Sequence, residues 1–233
     1  MTHNITIEGG TSARLPTAGK YCDRDIVVTA TGGDYADGYE TGYGNGKTDG
    51  LTEFIGDRDY ITTGNATMVE SWKFFSTNKI FHADFPFATR LGSSAFNACS
   101  ELVSANFPLA TYIENNAFGN CKKLVSVYIP LVEVFGGSVF IGDTSLEAVE
   151  SPVANTIWEK VFSGCTALKT VVLRLNRVCA LKQADAFDNT LIANGTGYIY
   201  VPASLVDGYK SATNWSVYAE QVRAIEDYPE ITG

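Results

Sequence analysis

Five phenylalanines, Phe74, Phe96, Phe118, Phe140 and Phe162, stand 22 residues apart in this chain, and other positions keep the same step. Ile80, Leu102, Leu124, Leu146 and Leu168 form a second column, and Ala83, Ala105, Val127, Val149 and Val171 a third. A fourth holds Phe85, Phe107, Ile129 and Leu173, broken once by Ser151; a fifth holds Val69, Leu91, Ile113, Phe135 and Ile157. Pro86, Pro108, Pro130 and Pro152 follow in register, with Arg174 in the last slot. A unit this short exposes an apolar edge that it cannot bury alone, so its copies must stack and share one continuous core. The comb therefore constrains the chain to a solenoid.

Three columns read together as Leu-x-x-Val-x-Ile, as in Leu124, Val127 and Ile129. That is the strand signature of a leucine-rich repeat, and the period lies within the range of such repeats. The fold class expected is an α/β solenoid of 22-residue leucine-rich repeats, with a parallel sheet along one face. Its strands lie about 4.8 Å apart. Proline cannot donate to a ladder, which suits a residue just past a strand end. On the return path the Ala-Phe pair fits a short helical or 3-10 turn with its Phe packed inward.

The pattern AFxxC…LxxVxIP at this period resembles the BspA-like leucine-rich repeat family over roughly residues 67–202, as five full units and a degenerate sixth. The stretch after Asp185 looks like that family's closing segment, with a final strand from Tyr198 to Val201, Pro202, and a helical cap carrying Trp215 and Tyr218. Such a cap covers the open edge of the last coil. The family mixes surface adhesins, secreted proteins and phage-borne proteins, so the resemblance implies architecture more firmly than partner.

Cys99, Cys121 and Cys165 share one column with Thr77 and Asp143. A column that accepts these types wants a small side chain facing the interior or a turn, and Cys is often buried as a small hydrophobe. A disulfide between neighbouring coils and a reactive thiol are the alternatives. Asp143 is expected to cap a turn through the local amides of Thr144 and Ser145. The opening MTHNITIEGG has no basic stretch followed by an apolar one, so no secretion signal is read there. With five cysteines, an odd count, reduced thiols are expected, and the sequons at Asn4, Asn65, Asn194 and Asn214 are read as incidental.

Strand alternation turns the residues between the core columns outward. One outward column is His82, Ser104, Ser126, Ala148 and Thr170; the next is Asp84, Asn106, Tyr128, Glu150 and Val172. Core columns repeat their chemistry and these do not, which is what a solenoid needs to read a particular surface. The candidate binding residues are His82, Asp84, Asn106, Ser126, Tyr128, Glu150 and Thr170. Tyr128 leads them, because an aromatic can stack on a sugar or fill a protein pocket. The alternative is simple drift at unconstrained solvent positions.

Four segments follow: a small β attachment module at 1–32, a Gly/Tyr-rich stretch at 33–56, the solenoid at 57–202 and the cap at 203–233. Residues 1–32 resemble N-terminal regions of repeat proteins encoded by phages and prophages. Between them and the repeats, Gly38, Gly42, Gly46 and Gly50 recur every four residues, as do Tyr35, Tyr39 and Tyr43. That stretch is either a flexible linker or a helix whose glycine stripe lets copies approach. Glycine costs nearly 1 kcal/mol per helix position, so only association would stabilise such a helix. Tyr35, Gly38, Tyr39, Gly42, Tyr43 and Gly46 are thus the candidate oligomerisation residues, with a trimer favoured. The phrase GYGNGKT lacks the spacing and the preceding strand of a phosphate-binding loop.

A formal charge of −9 disfavours nucleic acid, and no basic cluster points to a membrane surface. There are two histidines, His3 and His82, and no Cys/His spacing for a metal, so no cofactor and no metal are expected. No nucleophile elbow occurs. The chain thus reads as a non-enzymatic binding or structural protein. Together with the resemblances, this implies a phage tail-tip or fibre component that contacts a host glycan or protein or another virion subunit. It would sit in the virion, or in the cytoplasm before assembly. The alternative is a bacterial surface or secreted adhesin.

Overall fold

The computed structural model describes residues 66–232 and, before them, the strands β1 (Asn4–Ile7), β2 (Thr11–Arg14), β3 (Leu51–Ile55) and β4 (Arg58–Thr63). The glycine and tyrosine stripe, Tyr35 to Gly46, lies outside the described residues. β1 and β2 pair antiparallel, as do β3 and β4, and β4 then runs parallel to the first strand of the repeats.

Two sets of strands alternate from Met68 onward. The longer set is β6 (Ile80–Asp84), β8 (Ser104–Asn106), β10 (Ser126–Tyr128), β12 (Ala148–Glu150), β14 (Thr170–Val172) and β16 (Tyr198–Val201). The shorter set is β5 (Met68–Val69), β7 (Arg90–Leu91), β9 (Tyr112–Ile113), β11 (Val134–Phe135), β13 (Thr156–Ile157) and β15 (Ala180–Leu181). Neighbours within each set pair parallel, β10 and β12 excepted, and as far as β13 and β14 they keep the step of the comb: His82 faces Ser104, which faces Ser126, and Leu91 faces Ile113. The first set is the expected sheet. The second adds a parallel sheet on another side, built from the Val69 column. Its two-residue strands bury one side chain each, so they leave no alternation to read in the sequence.

Each coil has three sides: a long strand, a short strand after the Pro corner, and a turn carrying the Phe. Leu, Val and Phe of every column meet inside in one cluster. From Phe74 through Phe96, Phe118, Phe140, Phe162 and Phe187 the rings stack at 5.0, 5.5, 5.5, 5.6 and 5.3 Å, with planes within 20° of parallel. Phe187 ends against Trp215 and Tyr218. Ser151, which interrupts its column, is buried and donates its hydroxyl to the Val132 carbonyl, so the polar atom is satisfied.

On the third side the backbone bonds between coils all run one way. Trp72, Phe74 and Ser76 N–H donate to the Ser93, Ala95 and Asn97 carbonyls of the next coil. Ser94, Phe96 and Ala98 donate onward to Asn115, Ala117 and Gly119, and the pattern continues to Ser138, Phe140 and Gly142. In the last step Phe162 and Gly164 donate to Ala186 and Asp188 carbonyls, and Lys160 N–H to the Asp185 carboxylate. Sheet dipoles largely cancel; here three peptides per coil align, so their dipoles add as in a helix. An acidic side chain closes the N–H end, where it is favoured.

The cap comprises α1 (Val206–Ser211), 3-10 turns at Ala203–Leu205, Ser216–Gln221 and Ile225–Asp227, β17 (Val222–Ala224) and α2 (Pro229–Thr232). It holds helical turns, and β17 extends the first sheet parallel to β16. Trp215 Nε1 donates to the Cys179 carbonyl at 2.6 Å and Cys179 N–H donates to the Tyr209 hydroxyl at 2.9 Å. No helix among the described residues is long and apolar enough to cross a membrane.

Candidate binding face

Outward positions of the long strands build the candidate site. His82 Nδ1 lies 2.8 Å from the Ser104 hydroxyl on the next strand, and Asn106 Nδ2 donates to Asp84 Oδ1 at 2.8 Å. These cross-strand bonds fix polar groups along the ladder and leave the face flat. Ser126 is half-buried, whereas Tyr128 stands 52% exposed.

The ladder then breaks. β3, β4, β6, β8 and β10 form one sheet and β12, β14, β16 and β17 another, while the short-strand sheet runs unbroken past the same point. Phe107 and Ser151 N–H donate to the carbonyls of Tyr128 and Val172 on their next coils. Ile129 is their counterpart, yet its strand and that of Glu150 are not bonded. At this point the core aromatic changes column: Phe85 and Phe107 give way to Ile129 and Ser151, and Phe135 enters opposite.

Beyond β12 the outer column of the face is covered. Val172 and Tyr200 continue the Tyr128 column but are only 5% and 7% exposed. Ile225, Tyr228 and Ile231 lie on them, with the Tyr228 ring edge-on to Tyr200 at 5.1 Å. Arg174 ties the edge of this lid, donating Nε to Glu150 at 2.5 Å and Nη2 to the Ile231 carbonyl at 2.6 Å. Arg223 sits 4.6 Å over the Tyr198 ring. Of the residues picked from sequence, His82, Asp84, Asn106, Ser126 and Tyr128 share one open ladder. Glu150 and Thr170 lie across the break, beside the lid. Ser104 belongs with the first group. The lid was missed because an aromatic tail over a sheet has no local sequence signal.

The groups with chemical potential are buried elsewhere. Cys99, Cys121 and Cys165 donate Sγ–H to the Phe74, Phe96 and Phe140 carbonyls at 3.0, 3.1 and 3.0 Å. Burial pushes the Cys99 and Cys179 thiols up to about 12 and raises those of Cys121 and Cys165 well above the usual range, which suppresses the thiolate that nucleophilic chemistry needs. Asp143 corrects the local-cap expectation: its Oδ1 accepts the N–H of Cys121, one coil back, at 2.7 Å, rather than amides of Thr144 or Ser145. Its Oδ2 is buried without a partner, and burial raises its pKa well above the carboxylate range. No group of three His, Cys, Asp or Glu among the described residues is placed to hold a metal ion.

Residues 60–147 match the BspA type Leucine rich repeat region, in six copies. No curated protein matches the chain. Among solved structures, a leucine-rich repeat protein of T. pallidum is 22% identical, with 56% of this chain and 71% of that one covered and a TM-score of 0.46. A leucine-rich cell surface protein of Faecalibacterium prausnitzii is 16% identical, covering 75% of this chain and 52% of its own, with a TM-score of 0.42. The pneumococcal vaccine antigen PcpA is 14% identical, covering 76% and 46%, with a TM-score of 0.43. The chain thus spans about half the length of the latter two.

Proposed function

We propose that this leucine-rich repeat solenoid is a non-enzymatic binding protein that engages its partner through the open ladder from His82 to Tyr128. One observation carries the reading. Inward columns hold their chemistry constant, while the outward residues differ from coil to coil and end in an exposed aromatic at Tyr128. Variation on a rigid, regular scaffold is how a solenoid acquires specificity. The resemblance of residues 1–32 to phage and prophage repeat proteins favours a virion part, a tail-tip or fibre component facing a host glycan or protein, or another virion subunit. A bacterial surface adhesin is the second reading, supported by the same repeats.

The expected outcome is that Tyr128→Ala weakens attachment to host cells or partner about tenfold or more, with the melting temperature nearly unchanged, because the ring is half in solvent. Unchanged attachment in that variant, and in an Asn106→Ala, Asp84→Ala pair, would remove the face from consideration. Recovery of the protein in purified virions, as against the surface of cells that produce no phage, decides between the two settings.

A further inference from the structure

The break between β10 and β12 is an opening in the candidate face. Other long strands of the repeats are tied to the next coil at both ends. Val125 and Lys169 N–H donate back to the Val103 and Glu147 carbonyls, and Phe107 and Ser151 N–H donate forward to Tyr128 and Val172. At the break neither end closes: the Glu147 N–H does not reach the Val125 carbonyl, nor the Ile129 N–H that of Glu150. Solvent enters there. Val127 is half-buried, whereas Ala83, Ala105, Val149 and Val171 of its core column are at most 3% exposed. The outer ladder stops at the same place. His82 is bonded to Ser104 and Asp84 to Asn106, but the step of the comb sets Ser126 against Ala148 and Tyr128 against Glu150. Ala148 is exposed and carries only a methyl group, and Tyr128 and Glu150 are exposed as well.

We infer that this seam is a subsite for a neutral glycan, seated on the Tyr128 ring with its hydroxyls turned toward the unpaired backbone of β10 and β12. The inference rests on the proposed role of the face in binding and names what is bound. The seam sets backbone donors and acceptors side by side, and a sugar hydroxyl is both at once. The aromatic ring beside them offers its face to the apolar side of a sugar ring. Width rules out an inserted peptide strand: β10 and β12 approach within 8 Å between Cα atoms, whereas a strand bonded on both edges needs about 9.6 Å, twice the strand spacing. Charge rules out an acidic sugar. Glu147 and Glu150 flank the seam, and the cations beside them, Lys169 and Arg174, are already paired with those two carboxylates.

The test applies the full chain to immobilised mannan, β-glucan and galactan, beside sialylated and sulfated glycans. Binding to at least one of the neutral polymers is expected, with no preference for the charged ones. Tyr128→Ala and Ala148→Gln should each weaken it about tenfold or more, and Tyr128→Phe should keep it. Trp158→Ala, which removes an exposed aromatic beside the other sheet, should leave it unchanged. Melting should match the parent, since these side chains stand in solvent. With an oligosaccharide of the bound polymer added, exchange of the Ile129 amide should slow at least tenfold and that of Ser151 should not change. This measurement on the parent chain still decides if a variant fails to fold. Binding without protection at Ile129, loss of binding in Trp158→Ala, or preference for the charged glycans overturns the inference. Failure to bind any neutral polymer overturns it too. If Tyr128→Ala then still abolishes attachment to host cells, the face remains a binding surface and its partner is a protein; if attachment survives, both readings fall.

Discussion

Asp143 shows what a single side chain can do inside a repeat. In the same column Cys99, Cys121 and Cys165 each donate a thiol proton to the carbonyl of a Phe one coil back. A carboxylate at position 143 has no proton to give; burial favours its neutral form, and Oδ2 stands without a partner. The facing titratable groups, the Cys121 and Cys165 thiols, are themselves neutral. The unfolded carboxyl titrates near about 3.9 and the folded one higher. The stabilising contribution is therefore complete below about pH 4 and is lost as pH rises through the folded pKa. Asp143→Cys is expected to raise the urea midpoint at neutral pH and to leave no gain at about pH 4. An equal gain at both pH values would refute the neutral-acid reading. From sequence the column was legible as small and interior, because spacing alone says so. The amide that Asp143 captures lies 22 residues back, so no local pattern announces it.

Turns and short strands decide the elements. The column Ala98, Asn120, Gly142 and Gly164 takes φ values of 61, 62, 74 and 78°, the left-handed region in which a side chain is strained. Two coils use glycine there and one uses asparagine, which tolerates it. Ala98→Gly is therefore expected to stabilise by about 0.5–1 kcal/mol, measurable as a higher denaturation midpoint. A loss of stability would mean that the methyl packs better than the backbone strains. The long strands could be read in advance because three core positions at fixed offsets leave little choice. β17 and the short strands could not, since two or three residues carry no period.

At the scale of the whole molecule, the break between β10 and β12 divides one sheet while the other sheet and the turn ladder hold the coils together. Backbone groups at the break lack the protection that their counterparts have. The Ile129 amide is expected to exchange with solvent at least tenfold faster than those of Phe107 and Ser151, as site-resolved hydrogen exchange can measure. Equal protection would mean that the ladder closes in solution. The stacking and the direction of the open face were legible from the comb. The lid from Ile225 to Ile231 was not, because it depends on a tail meeting Tyr200 and Val172 only once folded.

The one-way turn ladder also bears on how such a chain comes off the ribosome. A coil newly made holds three turn N–H groups that no residue before it can satisfy; only the coil synthesised next brings the carbonyls. Until the turn at Ala184–Phe187 arrives with Asp185 and Asp188, the leading end is always an unfilled row of donors. An orphaned N–H is rarer in folded proteins than an under-used carbonyl. Losing coils from the front, which uncovers carbonyls, is therefore tolerated better than losing them from the rear. The solenoid is built like a row of hooks awaiting eyes, and the last turn is the first point in synthesis at which every hook is caught.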